Sequence, residues 1–498
     1  MLRSSLSTSK LFKRYFCSIS SLSIKETLQK KPINQKILVQ GWVQAVRKYK
    51  ELYFVDVIDG TCLDRLQIVI DAHSSKFPTY GSSIKVQGLV VESLHKGQEI
   101  EVVADSWETL GTCDESYPFK YHQKYSSEFI RQHLHLRPRT RRFSSILRIR
   151  NHASMAVHKF FQDEGFCFVH TPIITQNDCE GAGEVFSIDV KGKLAETLFS
   201  TNQDSNVINT NDDSTSDDES EILNLENNIN LSEKHFFGAP TYLTVSGQLH
   251  LESIASALTR VYNFGPTFRA EASRTKLHAS EFQMIEAEIS FIENVDDLLQ
   301  IVEKCLKRII ESIVDSCVED VNFLSKDLKK HDQYIRNLTS KPFVRMSYKD
   351  AINILQNNKK LLKVPIEFGE DLGTDHKQFL VKHCDNMPVF VSMFPSSTKP
   401  FYMKSDENNL AHCFDLFAAY GGEICGGSLR EDNEENLKKK FPFEKNSSLS
   451  WYLDLRKYGT VPHGGFGIGF ERLLQSILGI SNIRDVIPFP RRKYDCKC

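Results

Sequence analysis

The sequence predicts an α+β chain, with a small β-barrel ahead of a larger domain that mixes strands with long helices. Three observations carry that expectation. Between residues 37 and 107, five short runs rich in Val and Ile recur with turn residues between them. Helical patterns then appear over 144–163 and 295–314. With 498 residues, the chain is also long enough for two or more domains.

The five strand candidates are 37–46, 52–58, 66–70, 84–91 and 100–107. Val/Ile-rich runs bounded by turn signals read as strands, and Asp59-Gly60 marks one tight turn. Five strands in so short a span suit an OB-fold barrel over 26–110. Residues 111–140 read as a hinge carrying Tyr117-Pro118 and then Arg131, His133, His135, Arg137 and Arg139. That basic run is either a solvated linker or a contact for RNA phosphates. A second domain fills 141–498. Its first helix, 144–163, ends at Gly165. In its second, Leu298, Leu299, Val302, Leu306, Ile309, Ile310 and Ile313 fall at helical spacing and predict a packed helix without chemistry. Residues 201–233 are dominated by Asn, Asp, Ser, Thr and Glu and cannot bury enough apolar surface to offset ordering entropy, so a disordered acidic insertion is expected.

Bulk properties exclude several classes. No uninterrupted apolar run approaches the roughly 20 residues of a membrane span. Net charge is −2, so the chain as a whole lacks a basic nucleic-acid-binding signature, although the acidic insertion masks basic stretches elsewhere. Twelve cysteines are scattered without a paired framework, and Cys496-Lys497-Cys498 has no second half for a zinc site. Reduced thiols in a cytosolic or matrix-like compartment follow. Residues 1–25 are basic, Ser-rich and free of acids, as organelle transit peptides are, which predicts a targeting presequence, mitochondrial rather than plastid, with a disordered basic tail as the plain alternative.

Two segments carry the chemistry. One runs Phe264-Gly265-Pro266-Thr267-Phe268-Arg269-Ala270-Glu271 and on through Glu281-Phe282-Gln283-Met284-Ile285-Glu286; the other is Gly465-Phe466-Gly467-Ile468-Gly469-Phe470-Glu471-Arg472. Each sets an arginine where its fork could clamp phosphate oxygens. Together they resemble motifs 2 and 3 of the class II aminoacyl-tRNA synthetases. The 144–163 helix with Phe166-Cys167-Phe168-Val169-His170-Thr171-Pro172 resembles motif 1, and Gly41-Trp42-Val43-Gln44-Ala45-Val46-Arg47-Lys48 resembles the first barrel strand of the aspartate/asparagine/lysine branch. The resemblance implies a catalytic domain built on an antiparallel sheet flanked by helices, assembled as a homodimer through motif 1. It implies ATP and Mg2+ as cofactors. It also implies an anticodon-binding barrel, using Arg47, Phe54 as a stacking aromatic and Gln67 as a base reader. A barrel-core role for Phe54 and an exposed strand position for Gln67 are the plain alternatives.

The same resemblance assigns the remaining site residues. Arg269 would meet the α-phosphate and substrate carboxylate, Arg472 the γ-phosphate and adenine, and Phe282 the other adenine face. Glu271, His278 and Gly469 complete the ATP site. Asp415 and Glu423, beside Gly426-Gly427-Ser428-Leu429-Arg430-Glu431, match the acidic metal positions, and Glu423 joins Arg269 and Arg472 as catalytic. Local strings look asparaginyl: Glu180-Gly181-Ala182-Gly183-Glu184-Val185-Phe186 and Thr244-Val245-Ser246-Gly247-Gln248-Leu249-His250-Leu251-Glu252. An amide both donates and accepts hydrogen bonds. Arg430 would donate to its oxygen and Glu286 accept from its nitrogen while repelling aspartate; Glu184 and Gln248 would hold the α-ammonium. The expected reaction joins asparagine to tRNA(Asn) through asparaginyl-adenylate. An aspartyl enzyme, an asparagine synthetase related to the same core and an inactive paralogue are the alternatives. Two departures from the family pattern are Leu277-His278, in place of an Arg-His pair, and Met393-Phe394-Pro395, in place of Asp/Asn-Tyr-Pro.

Overall fold

A computed structural model describes residues 20–72, 77–93, 97–120, 123–177, 184–188, 235–273, 275–325, 330–441 and 447–498. The acidic insertion expected at 201–233, Glu180 to Gly183 of the asparaginyl-like string and residues 1–19 of the expected presequence lie outside them. The chain forms two compact units, Met1–Ser145 and Ile146–Cys498.

In the first unit, β1 (Lys36–Tyr49), β2 (Leu52–Ile58), β3 (Leu66–Asp71), β4 (Ser83–Glu92) and β5 (Ile100–Gly111) follow the five expected runs. They pair in the order β1-β2-β3-β5-β4, and β4 closes back on β1. Closure removes both edges of the sheet, as a barrel must. Alternate residues supply the core, among them Val39, Val55, Val57, Ile68, Val86 and Val102. The described fold reaches into the span expected to be presequence, residues 1–25. Ile24 is fully buried in that core, at the start of α1 (Ile24–Lys30), and its amide donates to Asp59 Oδ2 at 2.7 Å. Ser20 and Ser21 pair in parallel with Ile37 and Leu38. The folded unit thus includes Ser20, Ser21 and Ile24.

Within 111–140 the described residues include local helical structure. Ser127–Gln132 is helical, capped by the Ser126 hydroxyl, and a 3-10 turn covers Arg137–Arg139. Arg137 is 1% exposed, with its guanidinium 4.0 Å from the centroid of the Phe143 ring, so it is not a free phosphate ligand.

The second unit is built on eight strands: β6 (Cys167–Phe168), β7 (Arg260–Phe268), β8 (Glu281–Ser290), β9 (Val344–Ser347), β10 (Val389–Pro395), β11 (Leu410–Ala418), β12 (Gly422–Leu429) and β13 (His463–Gly469). Their order is β9-β10-β11-β12-β13-β8-β7-β6. The central strands are antiparallel as expected, while both edge pairs, β9–β10 and β7–β6, are parallel. Helix α2 (Arg141–Asp163) packs by Phe161 stacking on Tyr262 of β7 at 4.4 Å. Helix α3 is Gln248–Leu258. Helix α4 (Val295–Ser316) buries all seven of the residues the pattern singled out and covers one sheet face, with Leu298 against Gly464. The opposite face is left to the site.

Candidate active site

Sheet register builds the site. Opposed residues form a row: Asn263 on β7, Glu286 on β8, Gly467 on β13, Gly426 on β12 and Asp415 on β11. Side chains in one row share a face. The row therefore sets Glu286 and Asp415 three strands apart, about 14 Å at the usual strand spacing, with two glycines between them as a bare floor. A next row on that face runs Glu288, Gly465, Ser428, Cys413. Glu423 reaches this face through a bulge. The register shifts between Leu416 and Phe417, so Glu423 opposes Phe417 and shares its side with Asp415. A Cβ on Gly426 would stand 3.4 Å from Asp415 Oδ1 and 4.0 Å from Glu423 Oε1, so both carboxylates face the space above that glycine.

Over this floor lies a cavity of about 620 Å³. Its wall contains Gln248, Arg269, Glu271, His278, Phe282, Glu286, Asp415, Glu423, Arg430, Gly469 and Arg472, which is every expected residue of this domain's site except Glu184. Glu184 is exposed and is not part of that wall, although its carbonyl accepts from the Ala270 amide at 2.8 Å.

At one end, Glu286 accepts from the Ser246 hydroxyl and from the Gly247 amide, at 3.1 and 2.9 Å. Beside it Arg430, 3% exposed, grips Glu288 through Nε at 3.1 Å and Nη2 at 2.9 Å, and Nη1 donates to Ser428 at 2.8 Å. Of its five N–H groups, those three contacts leave two to point elsewhere. Burial pushes Glu288 up, against the opposing pull of Arg430. Gln248 donates to Glu252 at 3.1 Å, which leaves its amide oxygen as an acceptor. At the other end, Lys399 meets Asp415 and Lys377 meets Glu423, each at 2.7 Å. Burial raises Asp415 to about 6, partly opposed by Lys399. Burial also pushes on Glu423, but Lys377 and Arg472 outweigh it and hold Glu423 at about 2.

Between the two ends, Arg269 lies 5.7 Å from the Phe282 ring centroid, and His278 Nε2 is 3.3 Å from Glu271 Oε2. Burial lowers His278, and Arg472 and Arg269 lower it further against Glu271. Arg472 donates to the carbonyls of Glu423 at 2.9 Å and Leu277 at 3.3 Å. The departure at Leu277 thus leaves its backbone as an anchor for this arginine. Glu471, 1% exposed, fastens three segments: Oε1 accepts from Arg150 of α2 at 2.6 Å and Oε2 from the Gln283 amide at 2.9 Å. At the second departure Met393 sits at a bulge with φ +62, and Phe394 offers its ring to Lys399 Nζ at 3.8 Å. Phe394 thus supports the ammonium that meets Asp415.

Sequence reasoning gave no role to Glu288, Glu252, Lys377, Lys399 or Arg456. The signal for Glu252 was a lone acid on an otherwise apolar helix face, four residues after Gln248. His463 is structural: its ring lies 3.1 Å from Glu252 and 2.8 Å from the Val461 carbonyl.

On the barrel unit, Arg47 opposes Phe54, and Asp56 opposes Gln67, on one outer face. Phe54 is half-buried. Gln67 is 5% exposed rather than an open strand position; it accepts from Arg47 at 2.9 Å and donates to Glu101 at 2.8 Å.

A glycine-floored antiparallel sheet with two arginines and two carboxylates over it, accompanied by an OB-fold barrel, defines the class: residues 126–203 and 214–493 match the family of class II tRNA synthetases (D, K and N), and 37–110 match the OB-fold nucleic acid binding domain. The chain belongs to that family and, within it, to the asparaginyl-tRNA synthetases. It is 42% identical to asparaginyl-tRNA synthetase of Mus musculus over 92% of this chain and 91% of the relative. It is 40% identical to a Dictyostelium discoideum protein described as "Probable asparagine--tRNA ligase, mitochondrial", over 93% of this chain and 94% of the relative. Its fold superimposes on asparaginyl-tRNA synthetase of Pyrococcus horikoshii complexed with asparaginyl-adenylate, with a TM-score of 0.79 and 27% identity over 96% of this chain and 99% of that one.

Proposed function

We infer that the chain is an asparagine–tRNA ligase, activating asparagine with ATP and passing it to the 3′ end of tRNA(Asn). The observation that carries this reading is the single glycine-floored row with Glu286 at one end and Asp415 at the other. One end offers a carboxylate acceptor beside two unspent Arg430 N–H groups, which suits a carboxamide. The other end suits phosphates.

In the first step an oxygen of the asparagine carboxylate attacks the α-phosphorus, and the bond to the bridging oxygen breaks to release pyrophosphate. No enzyme nucleophile is needed; the protein positions both reactants and balances charge. Arg269 would span the α-phosphate and the substrate carboxylate. Arg472 and Phe282 would sandwich the adenine, with Glu271, His278 and Gly469 completing its pocket. Gln248 would take the α-ammonium, with Glu184 as its expected second partner. In the second step a terminal ribose hydroxyl attacks the acyl carbon and AMP leaves.

Asp415 and Glu423 fit a magnesium ion, since both face the space over Gly426 and such ions are held by one or two carboxylates together with substrate phosphates. When bound there, the ion would neutralise charge on the phosphates. Arg47, Phe54 and Gln67 form the proposed anticodon face. A homodimer through α2 is favoured by Met155, which that helix leaves 61% exposed. A mitochondrial matrix location rests on the basic, acid-free leader and on the Dictyostelium relative's description. Charging of a tRNA(Asn) transcript with labelled asparagine tests the whole reading. Charged product with asparagine and none with aspartate is expected; charging with aspartate alone would overturn it.

A further inference from the structure

Lys377 belongs to none of the segments on which the functional reading rests. It projects from the helix Thr374–His383, and its Nζ lies 2.7 Å from Glu423 Oε2 and 5.2 Å from the Phe417 ring centroid. Lys399 stands in the same relation to Asp415. Each carboxylate facing Gly426 therefore already carries an ammonium, and the four side chains sum to zero charge. Among the described residues no cluster of three or more His, Cys, Asp or Glu offers a metal an alternative seat.

We propose that Lys377 is a built-in occupant of the metal position on Glu423, released to the nucleotide's phosphates when ATP enters, so that divalent-cation binding is conditional on nucleotide. This rests on the reading of Asp415 and Glu423 as the metal site. Without nucleotide, a divalent cation would enter a neutral cluster already bordered by Arg472 and would have to displace an ammonium that has no second anion offered to it. Like charges at such distances in a low-dielectric pocket repel strongly. A triphosphate changes the balance, because its oxygens accept the displaced ammonium while the cation takes the carboxylate. Lysine suits the exchange, being a compact charge with three donors on a flexible stem. The Lys377 side chain keeps 19% exposure and is not sealed in place.

Mn2+ is the probe. Free Mn2+ is measured by electron paramagnetic resonance while full-length wild type, Lys377→Met and Lys377→Arg are titrated with and without ATP, asparagine being omitted, and uptake with ATP is counted beyond that of a protein-free ATP blank, because ATP itself binds Mn2+. Wild type should take up Mn2+ weakly alone and much more tightly with ATP. Lys377→Met should bind Mn2+ without nucleotide roughly tenfold more tightly, within the usual range of coupling between two ligands. Its ATP-dependent gain should shrink accordingly, and Lys377→Arg should behave as wild type. Equal nucleotide-free affinity in wild type and a Lys377→Met protein with an unchanged melting curve overturns the proposal; Lys377→Gln replaces the Met variant should that one melt early. Mn2+ uptake by neither protein even with ATP overturns the metal-site reading itself.

Discussion

Glu252 is a carboxylate with no exposed side-chain surface, and its partners explain how it stays charged. It receives hydrogen bonds from Gln248 at 3.1 Å, Tyr452 at 2.7 Å and Arg456 at 2.8 Å, with His463 at 3.1 Å. Burial pushes its pKa up, yet Arg456 and His463 outweigh burial and set it well below the ordinary 4.5. Its contribution to stability is therefore present above pH 4.5 and is lost as pH falls below that. Arg456→Met would leave the buried carboxylate without its nearest permanent cation, a change that costs up to about 3–5 kcal/mol. Urea denaturation at pH 7 should show that loss, and the variant's stability should depend less steeply on pH below 4.5. His278 is also shifted down, but for a histidine that disfavours the charged form. With its pKa lowered by burial and by the two arginines, its imidazole is neutral at and above pH 6.5 in the free enzyme. Histidine resonances followed by NMR should place its midpoint below 6.5 and move it upward when ATP supplies phosphate charge. Arg269→Ala should slow adenylate formation by about 10²–10³-fold, the usual cost of one charge-stabilising donor.

The strands carry the site because of what they omit. A Cβ on Gly465 would overlap the Glu288 carboxylate and the Ala287 carbonyl. Gly465→Ala should thus cost about 1–3 kcal/mol of overpacking and pull Glu288 off Arg430, visible as a lower melting temperature with a raised KM for asparagine. Trimming 1–25 removes buried Ile24 and should cost about 1.5–3 kcal/mol, read as a shift in the barrel's thermal transition. These elements also mark what was legible in the sequence. The barrel strands announced themselves by Val/Ile runs, and α4 by its apolar face, because burial on one side imposes a period. Arg269, Arg472, Glu286 and Arg430 were legible through short glycine- and arginine-bearing strings. Lys377 and Lys399 were not, since each comes from a segment with no pattern of its own and meets its carboxylate through tertiary packing. The bulge that turns Glu423 toward Asp415 left no mark in composition either.

Over the whole molecule, the two units should answer to different measurements. Phe54→Ala removes a stacking surface worth about 1–3 kcal/mol per base, so KM for tRNA should rise while pyrophosphate exchange, which needs no tRNA, is retained. Loss of both together would remove the anticodon role from that face. The central claim is narrower: one sheet face binds asparagine at its Glu286 end and ATP at its Asp415 end. Pyrophosphate exchange by protein lacking residues 1–18, offered asparagine and aspartate separately, tests it most directly. Exchange with asparagine, silence with aspartate and loss of the asparagine signal in Glu286→Gln are expected. Exchange with aspartate at a comparable rate, or asparagine exchange untouched by Glu286→Gln, would contradict it.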